Sequence, residues 1–470
     1  MEWINPLDGD DIRKYQYNEF SFSPQDNKEI SLDFTNYGLW TISIEYFCGD
    51  NKVGKEIKKI AVDAPEYNIG YLAATFPVNI FLTKLWEMTS SDKPTIIGLE
   101  RVLVDYDKLP QNVFPFPLAS KEELYAPYKG FNSYPQRLVS YIGMLYRLNP
   151  DAKFNLYLCD HQAYYSLALM YANGIPEKNF TVFLLCDGTG SYWGFNNIFN
   201  NPSAEKKYKA MHDTLVLSKQ EALNSGVQEW GKETFVRCGN PCVSEMKPRW
   251  DGKGDLSNRT AYAFVFAKDN SNYKWLLHNP GWLKSPSKIV NPLPNNVCKI
   301  NFSEAIKNLK DHKSELVSML GIDYSVFDNS LQNNKKICLL LSSYPPPPGE
   351  EKYVDKTMSF FGNEFDYYFK EHPWTPSDTK RQGRLKAKGL TFLDSKIPTE
   401  FFMLINPNVY IAGFCSSSFL SIDLLENPIK QVLSVWDSKY YIIKTDYLDF
   451  KAKTAMNLEN GKVVVYEKTN

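Results

Sequence analysis

Two short stretches place reactive side chains directly after apolar runs: CDGTGSY at 186–192 and KEHP at 370–373. Asp187 in the first can accept a proton from an attacking hydroxyl, and His372 in the second can donate to a departing phosphate oxygen. His372 is one of only five histidines in 470 residues. The same punctuation recurs elsewhere. Asp160 and His161 follow FNLYLC, Ser342 and Ser343 follow KKICLLL, and Ser416 and Ser417 follow NVYIAGFC. Taken singly these are ordinary features: Asp-Gly makes turns, and serines before a helix cap it. Taken jointly, an acid, two imidazoles and paired hydroxyls suit group transfer from a phosphate-activated donor. A singly charged phosphodiester leaving group needs little neutralisation, so His372 and two hydroxyls can supply it without a metal.

Such groups converge only if the runs that carry them are strands with a common edge. From Pro65 onward short apolar runs alternate with helical patterns: YNIGYLAA, PTIIGLERVLV, KFNLYLCD and FTVFLLCDG read as strands, with helices between them. This is the grammar of a parallel sheet covered on both faces. The fold class expected is therefore α/β, with one Rossmann-like domain over 66–235 and a second over 236–437, facing each other across a cleft. Residues 236–330, with scattered Trp and Pro, resist assignment. In doubly wound sheets ligands bind beyond the carboxyl ends of the strands, which is where all the residues named above fall. Residues 1–65 alternate with a period near two and contain no helical pattern, which predicts a small all-β domain of immunoglobulin type. The segment 438–470 is expected to return to the first Rossmann-like domain.

Composition removes several function classes. Lys plus Arg (53) balance Asp plus Glu (54), so no global charge favours nucleic acid. The eight cysteines read as reduced, and Cys238 and Cys242 lack the second ligand pair a zinc site needs. The N-terminus has no basic and apolar leader pattern, and no run of about 18 apolar residues occurs. The expectation is a cytoplasmic protein with at most peripheral association at the inner membrane. DGDD near the N-terminus lacks the remaining ligands of a calcium loop. GTGSYWG has the spacing of neither a dinucleotide fingerprint nor a nucleophile elbow.

The ordered set CDGTGSY, KEHP and GFCSSSFLSI (413–422) resembles the bacterial sialyltransferases of glycosyltransferase family 80. Those enzymes have an acidic-acidic-glycine motif, a Lys-x-His-Pro motif and a following serine pair on two Rossmann-like domains of GT-B type. AATFP (73–77), IGLER (97–101) and YLCDHQ (157–162) look like the family's other active-site loops, so the resemblance spans roughly residues 66–430. It implies an inverting, metal-independent transferase that moves sialic acid from CMP-sialic acid to a galactoside hydroxyl of a glycan, with no cofactor. Asp187 would be the general base and His372 the group that stabilises the departing CMP. Lys370, Pro373, Glu400, Ser343, Ser416 and Ser417 would hold CMP, while Thr75, Arg101, His161, Thr189 and Trp374 would line the sugar side. Cys186 stands where the family has its first acidic residue, and Trp374 where arginine usually follows His-Pro. Two other readings compete: a transferase for another CMP-activated nonulosonic acid, and a non-catalytic glycan-binding protein.

Overall fold

The computed structural model describes residues 2–4, 12–14, 37–72, 74–89, 93–99, 104–115, 134–164, 166–226, 256–301, 304–305, 308–323, 325–343, 346, 350–373, 375–413, 416–418, 432–436 and 463–467. The alternating N-terminal residues form an antiparallel sheet in the order β2-β1-β3-β4, from β1 (Glu2–Ile4), β2 (Ile12–Lys14), β3 (Gly38–Cys48) and β4 (Asn51–Val62). Among the described residues its inner face encloses no core of its own. Trp40 is fully buried against the α/β core that follows, and Tyr141 donates its hydroxyl to the Tyr37 carbonyl at 3.0 Å. Among the described residues there is one sheet here, without the second that an immunoglobulin-type sandwich requires.

Seven parallel strands follow: β5 (Glu66–Leu72), β6 (Thr95–Leu99), β7 (Val113–Pro115), β8 (Lys153–Cys159), β9 (Phe180–Leu185), β10 (Tyr273–Leu277) and β11 (Val297–Lys299), in the order β11-β10-β9-β8-β5-β6-β7. They are mostly apolar because α1 (Thr75–Thr89), α2 (Tyr134–Leu148), α3 (Thr189–Phe199), α4 (Ala204–Gly226) and α5 (Leu256–Asp269) cover the sheet. β10 and β11 overturn the boundary expected at 235: the first sheet runs on to Lys299. Tyr273 and Trp275 are fully buried in its core, so this short strand pairs with β9 although its sequence surroundings are full of Pro and Trp. The CGNPC stretch lies outside the described residues.

The second sheet, in the order β14-β13-β12-β15-β16-β17, is also parallel throughout. It holds β12 (Lys336–Leu341), β13 (Phe365–Lys370), β14 (Thr391–Leu393), β15 (Tyr410–Gly413), β16 (Val432–Trp436) and β17 (Val463–Glu467). Its helices are α6 (Glu350–Phe361), α7 (Thr379–Ala387) and α8 (Thr399–Ile405). β17 pairs with β16, so the described part of the C-terminal segment completes the second sheet rather than returning to the first.

Each sheet reverses its winding once, between β5 and β8 in the first and between β12 and β15 in the second. These switch points open crevices at the carboxyl ends of the strands. One continuous buried cluster includes Leu72, Leu158 and Leu184 of the first sheet together with Ile337, Tyr368 and Phe401 of the second region. Among the described residues no helix is long and apolar enough to cross a membrane.

Candidate active site

At the first switch point β8 leads into a single tight turn, Asp160–Gln162, held by the Gln162 side chain, which accepts the Cys159 N–H at 3.3 Å. The turn buries Asp160 completely and leaves the His161 side chain one-tenth exposed. Asp160 accepts hydrogen bonds from Trp275 Nε1 at 3.1 Å and from the Ser191 hydroxyl. Ser191 in turn accepts the Asp187 backbone N–H at 2.7 Å. His161 Nδ1 stands 3.9 Å from Asp160 Oδ1 and 3.9 Å from Asp187 Oδ2. Burial pushes the Asp160 carboxyl up to about 7, and the neighbouring Asp187 charge adds to the rise, while the bonds from Ser191, Trp275 and the His161 backbone oppose it. Asp187 keeps 31% of its side-chain surface exposed, so a bound hydroxyl can reach it.

Gly188 explains how the two sheet edges come so close. Its φ of +58° lies in the left-handed region, and a Cβ there would sit 2.4 Å from Ser417 Oγ. Only glycine lets α3 begin against the serine loop that follows β15. The Thr189 N–H and Oγ1 each approach Ser417 Oγ at 3.4 Å. Gly413, at φ +137°, ends β15 against its neighbour in the same sheet: a Cβ would stand 2.0 Å from the Leu341 carbonyl oxygen of β12.

The facing edge is built on β13. Lys370, its last residue, is buried and donates to the Ser395 carbonyl at 2.6 Å. Burial pushes its ammonium down to about 8, against the pull of Asp394, Glu400 and Glu371. Glu400, in the first turn of α8, is buried too; burial raises its carboxyl, and Ser418, Asn79 and Lys370 act against the rise. His372 and Pro373 follow in a turn closed by the Thr375 N–H on the His372 carbonyl at 2.9 Å. Proline fixes its own φ within that turn.

A cluster invisible in the sequence holds this turn from behind. Arg381 of α7 donates Nε to Glu350 at 2.6 Å, and its other nitrogens reach Glu371 and Ser342. Ser342 also donates to Glu350, and Gln382 Nε2 bonds Glu371 at 2.8 Å. The strand-end residues Ser342 and Glu371 are thereby tied through one nearly buried guanidinium. Arg381→Met should cost about 3–5 kcal/mol of stability, because two shielded carboxylates lose their cation. Chemical denaturation measures this, and adding Glu350→Gln should recover part of it. A loss below about 1 kcal/mol would mean that the cluster fixes nothing.

The structure brings Asp187, His161, Thr189 and Ser417 together at one place. Lys370 and Glu400 are buried at the edge of the second sheet, and Ser343, Ser416 and Pro373 lie at strand ends of that same edge. Thr75 is the first residue of α1, just past β5. Arg101 and Trp374 fall outside the described residues. Sequence reading placed Asp160 at a strand end without giving it a role, and passed over Ser191, Trp275 and Arg381 as parts of the site. The bonds that tie them to Asp160 and Glu350 span 31 or more positions, so no local pattern marks them.

Two doubly wound parallel sheets, joined at facing carboxyl edges, define a fold of GT-B type. No protein-family model matches the sequence, and no curated protein matches it. Solved structures do share the fold. An α/β-galactoside α-2,3-sialyltransferase from the luminous marine bacterium Photobacterium phosphoreum has a TM-score of 0.58 at 14% identity, over 86% of this chain and 99% of that one. A 2,6-sialyltransferase from a Vibrionaceae Photobacterium species, in ternary complex with donor product CMP and acceptor substrate lactose, also has a TM-score of 0.58 at 14% identity, over 91% and 84%. The GT-B domain of a Photobacterium damselae sialyltransferase has a TM-score of 0.51 at 11% identity, over 86% and 100%.

Proposed function

We propose that this chain is an inverting sialyltransferase that moves sialic acid from CMP-sialic acid to a galactoside hydroxyl without a metal. One observation carries the reading: the partly exposed Asp187, beside His161 at the first switch point, abuts the serine loop of the second sheet at Thr189 and Ser417. In this reading Asp187 takes the proton of the acceptor hydroxyl as that oxygen attacks the anomeric carbon. The bond to the phosphate oxygen breaks on the opposite face, which inverts the configuration. His372, Ser416 and Ser417 meet the charge that develops on the departing CMP phosphate. Lys370, Pro373, Ser343 and Glu400 serve the nucleotide, with the Glu400 carboxylate on the ribose hydroxyls. Thr75, Arg101, His161, Thr189 and Trp374 serve the sugars. The solved 2,6-sialyltransferase contains CMP and lactose, and ligands of those two kinds suit two facing crevices.

Incubation with CMP-N-acetylneuraminic acid, lactose and EDTA tests the proposal directly. Sialyllactose and CMP should form at the same rate with or without the chelator. CMP-dependent thermal stabilisation without product would overturn this donor assignment and favour another CMP-activated nonulosonic acid. Activity that required Mg²⁺ would overturn the mechanism.

A further inference from the structure

We propose that Asp160 is a positioning residue for the base Asp187: it anchors the Asp187 backbone through Ser191 and tunes its proton affinity with a second carboxylate across His161. The inference rests on the transferase reading, in which Asp187 receives the acceptor proton.

A completely buried carboxylate is costly unless it is well partnered. Among the described residues no lysine or arginine pairs with Asp160; its ionic neighbour is the imidazole of His161. Protein dipoles hold it instead: the Trp275 indole and the Ser191 hydroxyl, both on Oδ2. An asparagine would accept the same two bonds through its carbonyl oxygen without the desolvation penalty of a charge. The carboxylate is therefore explained by what its charge acts on, and the nearest candidate is Asp187.

Two routes connect them. Ser191 donates to Asp160 and accepts the Asp187 N–H at 2.7 Å, which fixes the base just before the left-handed Gly188. His161 Nδ1, midway at 3.9 Å from an oxygen of each, sits where a proton held by either acid changes the field at the other. Other groups face Asp160 as well. Cys186 and the Tyr192 hydroxyl lie under its charge, which adds to the effect of burial in keeping both protonated. Past β10, the His278 backbone bonds the Cys186 thiol. From α5, packed on the Asp160 turn, Tyr262 contributes a ring set edge-on to Tyr164. Among the described residues no lysine or arginine pairs with Asp160, so its ionisation raises the proton affinity of Asp187.

The buried Asp160, its carboxyl pushed up to about 7, becomes charged near neutrality and then makes Asp187 a stronger base. With aspartate labelled at ¹³Cγ and resonances assigned by substitution, the Asp187 signal should move in two steps in the wild type. In Asp160→Asn the upper step should vanish. At pH 8 the same variant should lose about 10- to 100-fold in kcat, with KM for CMP-N-acetylneuraminic acid within about twofold of wild type. Ser191→Ala breaks the backbone link while keeping the charge, so it should lower kcat and retain the upper step. CMP-induced thermal stabilisation checks that each variant is folded, and Ser191→Ala carries the test if Asp160→Asn is not. An Asp187 signal that titrates identically in wild type and Asp160→Asn, or an unchanged kcat in both variants, would overturn the inference. If the wild type transfers nothing, the transferase reading fails, whereas the titration still decides whether the two acids are coupled.

Discussion

Asp187→Asn should abolish transfer, a loss of about 10² to 10⁴ in kcat, while CMP affinity stays within about twofold of wild type. The split follows from position. Asp187 stands on the first sheet's edge, beside His161 and one residue before Gly188, whereas Lys370, Glu400 and His372 belong to the second sheet. Asparagine keeps the shape of the side chain, and its backbone N–H still bonds Ser191, so the turn is preserved. Only the ability to take a proton is lost. Isothermal titration with CMP and a coupled assay of CMP release measure the two quantities separately. Equal loss of both would place Asp187 at the nucleotide and remove it as the base.

That Asp187 could be named at all rests on the period of the strands. FTVFLL and FDYYFK are bounded apolar runs, and the residue after such a run in a doubly wound sheet lines the crevice whatever the neighbouring strands do. The same rule located His161, Ser343 and the serines after β15. It gives no information on which strands lie side by side. YKWLL joined the first sheet because Trp275 packs into its core and bonds Asp160, a contact across 115 positions that leaves no periodic trace. The segment 438–470 carried no signal of which sheet would accept it, and VVVYE joins the second beside β16. Trp40 alternates as a strand residue should, yet its burial against the neighbouring core depends on tertiary packing. Charge networks are the least legible of all. Arg381 reads as one more basic residue of a polar helix until Glu350 and Glu371 are seen around it.

That network bears on the other large effect, His372→Ala, which should slow transfer by about 10² to 10⁴. The imidazole is delivered by β13, turned by Pro373 and backed by Glu371, itself held by Arg381 and Gln382. In the proposed reaction His372 would act in the transition state, as charge accumulates on the departing phosphate, and would contribute little to holding the intact donor. The loss should therefore fall on kcat, with KM for the CMP donor moving by less than about fivefold. Added imidazole should restore part of the rate, since the truncation leaves a space of its shape at the strand end. A variant that keeps its activity, or recovers it with Mg²⁺, would show that phosphate departure is assisted by something other than this side chain. A purely structural His372 would instead lower stability and kcat together, with no rescue by added imidazole.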